Sequence, residues 1–322
     1  MSILHVIAET PALYFTLVAF TSLVVGSFLN VVIHRLPIMM EREWRESLAE
    51  FDAEPGTVID GASAQVTTAS INMTADGSAT HPGIDAGDPQ TPVERFNLAV
   101  PRSRCPGCEA PISAWQNIPI ISWLMLRGRC AHCQVAISVR YPLVEAMTML
   151  LSLVVAWQFG ATPQAVLGIV VTWFLVALTM IDVDHQLLPD NLTLPLMWIG
   201  LMASLAPVFV GVHEAVVGAA AGYLILWSIY WLFKLVTGKE GMGYGDFKLL
   251  AALGALLGWQ ALPMIILLSS LVGAVVGLSI ILITRRSKEI PIPFGPYLAA
   301  AGWIAMVWGN SLQGAYFTLF MP

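Results

Sequence analysis

Apolar stretches long enough to cross a lipid bilayer recur along most of this chain, and they limit its possible folds more than any other feature. The hydrocarbon core of a bilayer is about 30 Å thick, so a spanning helix needs roughly 20 consecutive apolar residues. A shorter stretch after Asp246 fits a full span only if it begins inside a cavity. The sequence therefore predicts an all-α, multi-pass membrane protein with about eight transmembrane helices. The predicted helices lie near residues 13–35, 142–159, 163–181, 191–210, 214–236, 247–260, 262–284 and 294–312.

The composition agrees with a lipid environment. Hydrophobic residues make up 57% of the 322 positions, charged residues make up only 11%, and the mean hydropathy is +0.74. Soluble domains carry about 25% charged residues, so this chain has too few charges to cover a water-exposed surface. No Lys or Arg precedes the first apolar run, and we therefore expect a retained helix there rather than a cleaved signal peptide.

The basic residues predict which side of the membrane the loops occupy. If eight helices alternate in direction, all 15 Lys and Arg residues fall on one side, within residues 35–140, 234–248 and 285–288. A wrong number of helices would have scattered these charges over both sides. Cytoplasmic loops carry an excess of Lys and Arg, so we expect the charged side to be cytoplasmic.

A long hydrophilic segment follows the first predicted helix, and we expect it to be the main cytoplasmic part. Part of it is rich in Gly, Ala, Thr, Ser, Asp and Pro and has no Lys or Arg, a composition typical of disorder. The predicted organisation is a first transmembrane helix at 1–36, a cytoplasmic loop at 37–141 with a charged surface helix (41–54), a disordered insertion (55–92) and a four-cysteine zinc module (93–140), and a transmembrane core at 142–322.

The four cysteines form two C-x2-C pairs, Cys105 with Cys108 and Cys130 with Cys133. Each pair can place two thiolates on one metal ion, and two pairs complete the tetrahedral four-thiolate site that Zn²⁺ prefers. A site with four protein ligands has no open position, so we expect a structural zinc ion that stabilises the loop. His132 is not needed as a ligand. The alternative is a group of reduced or redox-active cysteines without metal.

Two aspartates at the ends of predicted helices are the candidate catalytic residues. Asp182 ends the third apolar run, and Asp246 follows a loop with three alternating glycines and opens the sixth predicted helix. Ionisable residues at membrane depth are costly and are often functional. In an aspartic peptidase one ionised carboxylate activates water while a protonated partner polarises the scissile carbonyl. Asp246 alone could be only a helix N-cap, but two aspartates on the same predicted side favour a peptidase.

Several motifs then occur in one order along almost the whole chain. They are residues 26–37 (GSFLNVVIHRLP), 97–98, 101–106, the four cysteines, 140–145 (RYPLVE), 182–190 (DVDHQLLPD) and 243–246 (GYGD). In these motifs the chain resembles the type IV prepilin peptidases, bifunctional membrane enzymes of type IV pilus and type II secretion systems. No single motif is as specific as this ordered series.

The resemblance implies a function for the two aspartates. Asp182 and Asp246 match the catalytic dyad of that family. The expected reaction is removal of the short basic leader of prepilins and pseudopilins at the cytoplasmic face of the bacterial inner membrane. The family also methylates the new N-terminus with S-adenosylmethionine as donor. Prepilins or pseudopilins and the lipid bilayer are the implied partners, and we expect no nucleic acid.

Other polar residues are candidates for binding or structural roles. Asn30, Arg140 and Glu145 are candidates for the methyl-donor site, and each is equally well explained as a structural polar contact. Asp190 follows Pro189 in the sequence and is expected to cap the fourth predicted helix. Together with Asp184, its charge could attract a basic leader.

The insertion at 55–92 is longer than the resemblance predicts, although it carries no motif residue.

Three alternatives to this family remain. Among peptidases the runner-up is another GxGD intramembrane protease, such as a preflagellin peptidase or a presenilin-like enzyme. Outside that class, the aspartates could form the relay of a proton-coupled transporter, although transporter sites lie near the membrane midplane. A non-enzymatic assembly factor that docks through the cysteine loop is a further alternative.

Overall fold

A computed structural model describes residues 9–53, 96–101, 103–105, 107–113, 118–239, 241–284 and 293–320. The predicted insertion at 55–92 lies outside these residues. Within them the secondary structure is helical, with two isolated antiparallel β-bridges and no strand. The predicted all-α fold class is therefore confirmed.

Nine α-helices and one 3-10 turn occur in the described part of the chain. The helices are α1 (Pro11–Ala53), α2 (Ile121–Met125), α3 (Arg140–Phe159), α4 (Pro163–His185), α5 (Asp190–Ser204), α6 (Val212–Thr237), α7 (Tyr244–Leu257), α8 (Leu262–Thr284) and α9 (Gly295–Phe320). The 3-10 turn, Trp259–Ala261, joins α7 to α8.

Five helical segments are long and apolar enough to cross a membrane, so the chain is a membrane protein. They are Pro11–Phe51, Arg140–Phe159, Pro163–His185, Val212–Thr237 and Trp259–Ser279. The helices α5 and α7 have 15 and 14 residues, fewer than the roughly 20 that a straight span needs. The number of about eight spans therefore stays a prediction.

The first helix is longer than the sequence predicts. α1 has 43 residues and passes through Pro37, so the predicted span at 13–35 and the charged helix at 41–54 belong to one element. Proline removes one backbone hydrogen bond and favours a helix end. Good helix formers lie on both sides of it, however, namely Leu36, Met39 and Met40.

The short helix α7 lies at the centre of the membrane core. Ten of its residues are buried, including Asp246 and Phe247, and its sequence is apolar on every face after Lys248. α6 packs closely on it through glycines. A Cβ atom added to Gly218 would lie 2.2 Å from the carbonyl oxygen of Gly254, and one added to Gly222 would lie 2.6 Å from that of Leu250. Small residues let membrane helices approach this closely, and the packing fixes the place of Asp246.

Two compact units divide the chain, residues 1–37 with 102–322 and residues 38–101. The four cysteines and both aspartates belong to the first unit. In the second unit the guanidinium carbon of Arg42 lies 4.3 Å from the centre of the Phe96 ring, and the side-chain oxygen of Asn97 accepts hydrogen bonds from two following backbone N–H groups. The predicted grouping of residues 93–140 as a module stays a prediction.

Candidate active site

Asp182 lies in the last turn of α4. Only 5% of the residue is exposed, although it is three positions from the helix end at His185. Gln186 ends the helix in a left-handed conformation, with φ 55°, and its N–H donates to the carbonyl oxygen of Asp182 at 2.9 Å. This cap closes the helix directly after the aspartate and holds its backbone in place.

Asp246 lies in the first turn of α7 and is 7% exposed. The helix begins at Tyr244 and Gly243 is its N-cap, so Asp246 is the third helical residue. The sequence analysis predicted that the helix begins at Asp246, which is two residues later than its observed start. The backbone N–H of Gly243 donates to its carboxyl group, as a third-position acidic residue does in a capping box. The residue therefore has a capping contact without being the N-cap.

The two carboxyl groups lie close enough for their charges to interact. Oδ2 of Asp182 and Oδ1 of Asp246 are both buried and have no hydrogen-bond partner among the described residues. Buried polar atoms are almost always hydrogen-bonded, and exceptions call for an explanation. A substrate or water that supplies the missing hydrogen bonds would explain both atoms at once.

A third element of this site was missed by the sequence interpretation. Gly295, the first residue of α9, gives a backbone hydrogen bond to the carboxyl group of Asp182. A Cβ added to Gly295 would lie 2.6 Å from Oδ2 of Asp182 and 3.1 Å from Cδ1 of Leu188. A Cβ added to Gly245 would lie 2.6 Å from Cβ of Leu188. Leu188 thus packs between two glycines, one on each side of the site. The one available signal was the sequence Pro-Phe-Gly-Pro at 293–296.

Two ion pairs flank the aspartates. Arg140 binds both carboxylate oxygens of Asp184, with one contact at 2.8 Å. Lys248 binds both oxygens of Asp190, at 2.6 and 2.7 Å. The expected capping role of Asp190 is wrong, because the extended residue Pro189 is the N-cap and Asp190 is the first helical residue. Its charge still lies favourably at the positive end of the helix dipole.

The four cysteine sulfurs form one cluster, all within 4.8 Å of one another. Sγ of Cys105 and Sγ of Cys133 are 3.7 Å apart. Tetrahedral Zn²⁺ with Zn–S bonds near 2.3 Å requires sulfur separations of about 3.8 Å, so the cluster has the size of a zinc site. No histidine belongs to the cluster in the described part of the chain, which agrees with the expectation for His132.

The two cysteine pairs lie in matching turns. In each pair the first cysteine N–H donates to a carbonyl five residues later, at 3.0 Å for Cys105 and 2.9 Å for Cys130. The residue after each second cysteine, Glu109 or Gln134, has a positive φ of 55° or 59°. An antiparallel bridge closes each turn, Arg104 with Pro111 and Arg129 with Ala136. Two such turns present four sulfurs to one point.

The chemistry of the sulfurs also fits a cation. The N–H groups of Cys133 and His132 donate to Cys130 and lower the pKa of its thiol to about 6. The N–H of Ala110 favours the thiolate of Cys108, but burial and the three neighbouring sulfurs outweigh it and raise the pKa of Cys108 to about 12. A metal ion coordinated between the four sulfurs would keep all of them deprotonated.

The three candidates for the methyl-donor site all have partners inside the protein. Asn30 donates to the carbonyl oxygen of Tyr141 at 3.2 Å, and Arg140 is paired with Asp184. Glu145 is 7% exposed and accepts a hydrogen bond from the N–H of Ile120 at 2.7 Å. These are the structural contacts that the alternative interpretation predicts, and they do not define a donor site.

A cavity at the far end of the helix bundle is separate from the aspartates. Its volume is about 610 Å³, and its lining includes Gln158, Phe209, Glu214 and Gln260. These residues lie at the end of α3, just before α6, in the first turn of α6 and after α7. The aspartates lie at the opposite ends of α4 and α7, so this cavity is not part of their site.

Comparison with known proteins assigns the family. The Bacterial Peptidase A24 N-terminal domain matches residues 20–159, and the Type IV leader peptidase family matches residues 169–278. A protein of Aeromonas salmonicida is 53% identical over 311 residues, covering 97% of this chain and 96% of its own length. One from Stutzerimonas stutzeri is 50% identical over 319 residues, with 98% of both chains covered.

A protein of Pseudomonas aeruginosa is 47% identical over 316 residues, again with 98% of both chains covered. All three relatives carry the name prepilin leader peptidase/N-methyltransferase. No solved structure matches the chain. The resemblance seen in the sequence motifs is confirmed by identity over nearly the whole length, and the chain belongs to the type IV leader peptidase family.

Proposed function

We propose that this protein is a membrane-embedded aspartic endopeptidase that removes the leader of type IV prepilins or pseudopilins and then methylates the new N-terminus. The main support for peptidase activity is the pair of buried carboxyl groups of Asp182 and Asp246. Each has one oxygen that lacks a hydrogen-bond partner among the described residues. The names of the relatives, which cover nearly the whole chain, support both activities.

The two carboxyl groups supply the general acid and the general base. The ionised carboxylate takes a proton from water while the water oxygen bonds to the scissile carbonyl carbon. The protonated carboxyl gives its proton to the carbonyl oxygen. Collapse of the resulting diol breaks the C–N bond, with one proton passing to the amine and one returning to a carboxylate. Two carboxylates this close cannot both ionise easily, which keeps one protonated at the start.

The shape of the site suits an extended peptide. Gly243 lies just before α7 and Gly245 lies in its first turn, so no side chains project there. Gly295 borders Asp182. A backbone free of side chains lets another chain approach closely. A prepilin with an apolar helix in the bilayer and a basic leader in water would bring its scissile bond to the depth of these aspartates.

The sidedness follows from the charges. The ends of α4 and α7 that carry the aspartates lie on the side where the sequence places all 15 Lys and Arg residues. By the positive-inside rule that side is cytoplasmic. We therefore assign the active site and the cysteine cluster to the cytoplasmic face of a bacterial inner membrane, where a basic leader is retained.

A structural zinc ion would be held by Cys105, Cys108, Cys130 and Cys133. The size of the sulfur cluster fits that ion. With four thiolate ligands, zinc holds the loop together and takes no part in peptide hydrolysis.

Methylation requires a donor, which we propose to be S-adenosylmethionine. That molecule would supply the methyl group for the amine that cleavage exposes. Asn30, Arg140 and Glu145 are engaged with other parts of the protein. They give no observation on which to place the donor, and no step is assigned to them.

The experiment is a two-product assay. Purified protein in liposomes is incubated with a prepilin-like substrate, with and without S-adenosylmethionine. The masses of the products are measured by mass spectrometry. The proposal predicts loss of the leader in both reactions and the added mass of one methyl group only with the donor. An intact substrate in both reactions would contradict the proposed peptidase.

A further inference from the structure

Each candidate catalytic aspartate is followed two residues later by a member of an ion pair between helices. Asp184 follows Asp182 and is bound by Arg140, the first residue of α3. Lys248 follows Asp246 and binds Asp190, the first residue of α5. Both aspartates thus have an ion pair two residues away. Near Asp182 the residue that belongs to the pair is acidic, and near Asp246 it is basic.

The helix geometry connects each pair to its aspartate. Successive residues of an α-helix are rotated by about 100°, so residues two apart point to nearly opposite sides. Asp182 is buried while the side chain of Asp184 is 24% exposed. An ion pair on the outer side therefore fixes the rotation of the helix end about its axis. The same rotation sets the direction in which the buried carboxyl group points.

The exposure of the pairs argues against a main role in stability. The side chains of Arg140, Lys248 and Asp190 are 39%, 29% and 52% exposed. Ion pairs exposed to this degree usually contribute little to folding stability. Catalytic geometry is far more sensitive, because a misplacement of about 1 Å can cost a hundredfold in rate. The pairs should therefore affect turnover more than they affect folding.

We propose that Arg140 with Asp184 and Asp190 with Lys248 are positioning pairs that aim the carboxyl groups of Asp182 and Asp246 at one point. The inference rests on the proposed peptidase function. It also changes the role expected for Asp184 and Asp190. Attraction of a basic leader would need acidic charge that is not already neutralised, and both carboxylates are bound to a cation of the protein itself.

The test separates turnover from substrate binding. Asp184→Asn and Lys248→Met are compared with the unchanged protein for kcat and KM on a basic-leader substrate, at equal abundance and with the thermal midpoint recorded. Positioning predicts a kcat lower by about tenfold to a hundredfold, with KM changed less than about twofold. A raised KM with unchanged kcat in Asp184→Asn, or a lowered KM with unchanged kcat in Lys248→Met, which leaves the Asp190 carboxylate unpaired, would overturn the inference and support leader attraction instead. Unchanged kcat and KM would also overturn it.

A charge-swapped variant distinguishes loss of the ion pair from misfolding. In Arg140→Asp with Asp184→Arg, the acid lies at the start of α3 and the base at the end of α4, which suits both helix dipoles. We expect this double variant to recover most of the kcat that Asp184→Arg alone loses. Failure to recover at normal abundance would contradict positioning. Full activity in Asp182→Asn and Asp246→Asn would instead refute the peptidase dyad itself, so the two failures are distinguishable.

Discussion

Gly295 lies so close to Asp182 that a Cβ on the glycine would stand 2.6 Å from Oδ2 of the aspartate. The first residue of α9 therefore forms part of the wall around one catalytic candidate. Any larger residue at this position must displace the carboxyl group, because the atom in the way is the end of the Asp182 side chain itself.

Gly295→Ala is expected to lower the cleavage rate by at least about tenfold, because it moves a group whose alignment determines the rate. The fold should survive, since the displaced atom ends a side chain. The measurement is kcat for leader removal together with the thermal midpoint. Gly309→Ala is the matched control on the same helix, because a Cβ there meets nothing within 4 Å. Equal activity of the two variants would show that Gly295 does not border the working site.

Gly218→Ala is expected to destabilise the protein rather than to affect catalysis selectively. The added Cβ would stand 2.2 Å from the backbone oxygen of Gly254, and a backbone atom of a packed helix cannot move aside cheaply. Overpacking of this kind costs about 1–3 kcal/mol or more. Thermal unfolding in detergent should show a lower midpoint and reduced abundance. A midpoint equal to that of Gly309→Ala would contradict the close packing of α6 on α7.

Metal analysis tests the cysteine cluster. The purified protein should contain about one zinc ion per chain, and each of Cys105→Ser, Cys108→Ser, Cys130→Ser and Cys133→Ser should lower that content, because a four-thiolate site loses a ligand in every case. His132→Ala should retain the metal. Chelation should make the loop more sensitive to protease. A metal-free protein with unchanged protease resistance would favour reduced cysteines without a structural ion.

Glu145→Ala is expected to lower stability by about 1–3 kcal/mol, because it leaves the N–H of Ile120 without its acceptor. Ser27 also donates to this carboxyl group and would lose its partner. Glu145→Gln keeps an acceptor oxygen at the same place and should recover most of the loss. The thermal midpoint distinguishes the two variants. If both unfold at the wild-type temperature, the buried carboxyl group does not connect α3 to the segment before α2.

The sequence predicted the parts of the site that depend on local pattern. Asp182 stood out because it ends an apolar run, and Asp246 because it follows alternating glycines. The four cysteines stood out through their spacing alone. Gly295 was missed because a single glycine near two prolines has no local pattern that points to an aspartate more than 100 residues earlier.

Contacts between distant segments explain the remaining differences. The ion pairs of Asp184 and Asp190 were missed, because nothing in the sequence shows that Arg140 and Lys248 bind them. The continuation of α1 through Pro37 was missed because proline favours a helix end, whereas the apolar residues around it favour a helix. Local sequence therefore shows neither which distant residues form ion pairs nor whether a helix continues through a proline.

The most direct test of the account is the cleavage of a prepilin-like substrate by Asp182→Asn and Asp246→Asn. Asparagine keeps the size of each side chain but cannot exchange the proton that the reaction needs. Glu214→Gln is the matched control, because it removes a carboxylate at the far end of the bundle beside the separate cavity. At equal abundance, we expect cleavage by wild type and Glu214→Gln and none by either aspartate variant. Cleavage by both aspartate variants would contradict this expectation.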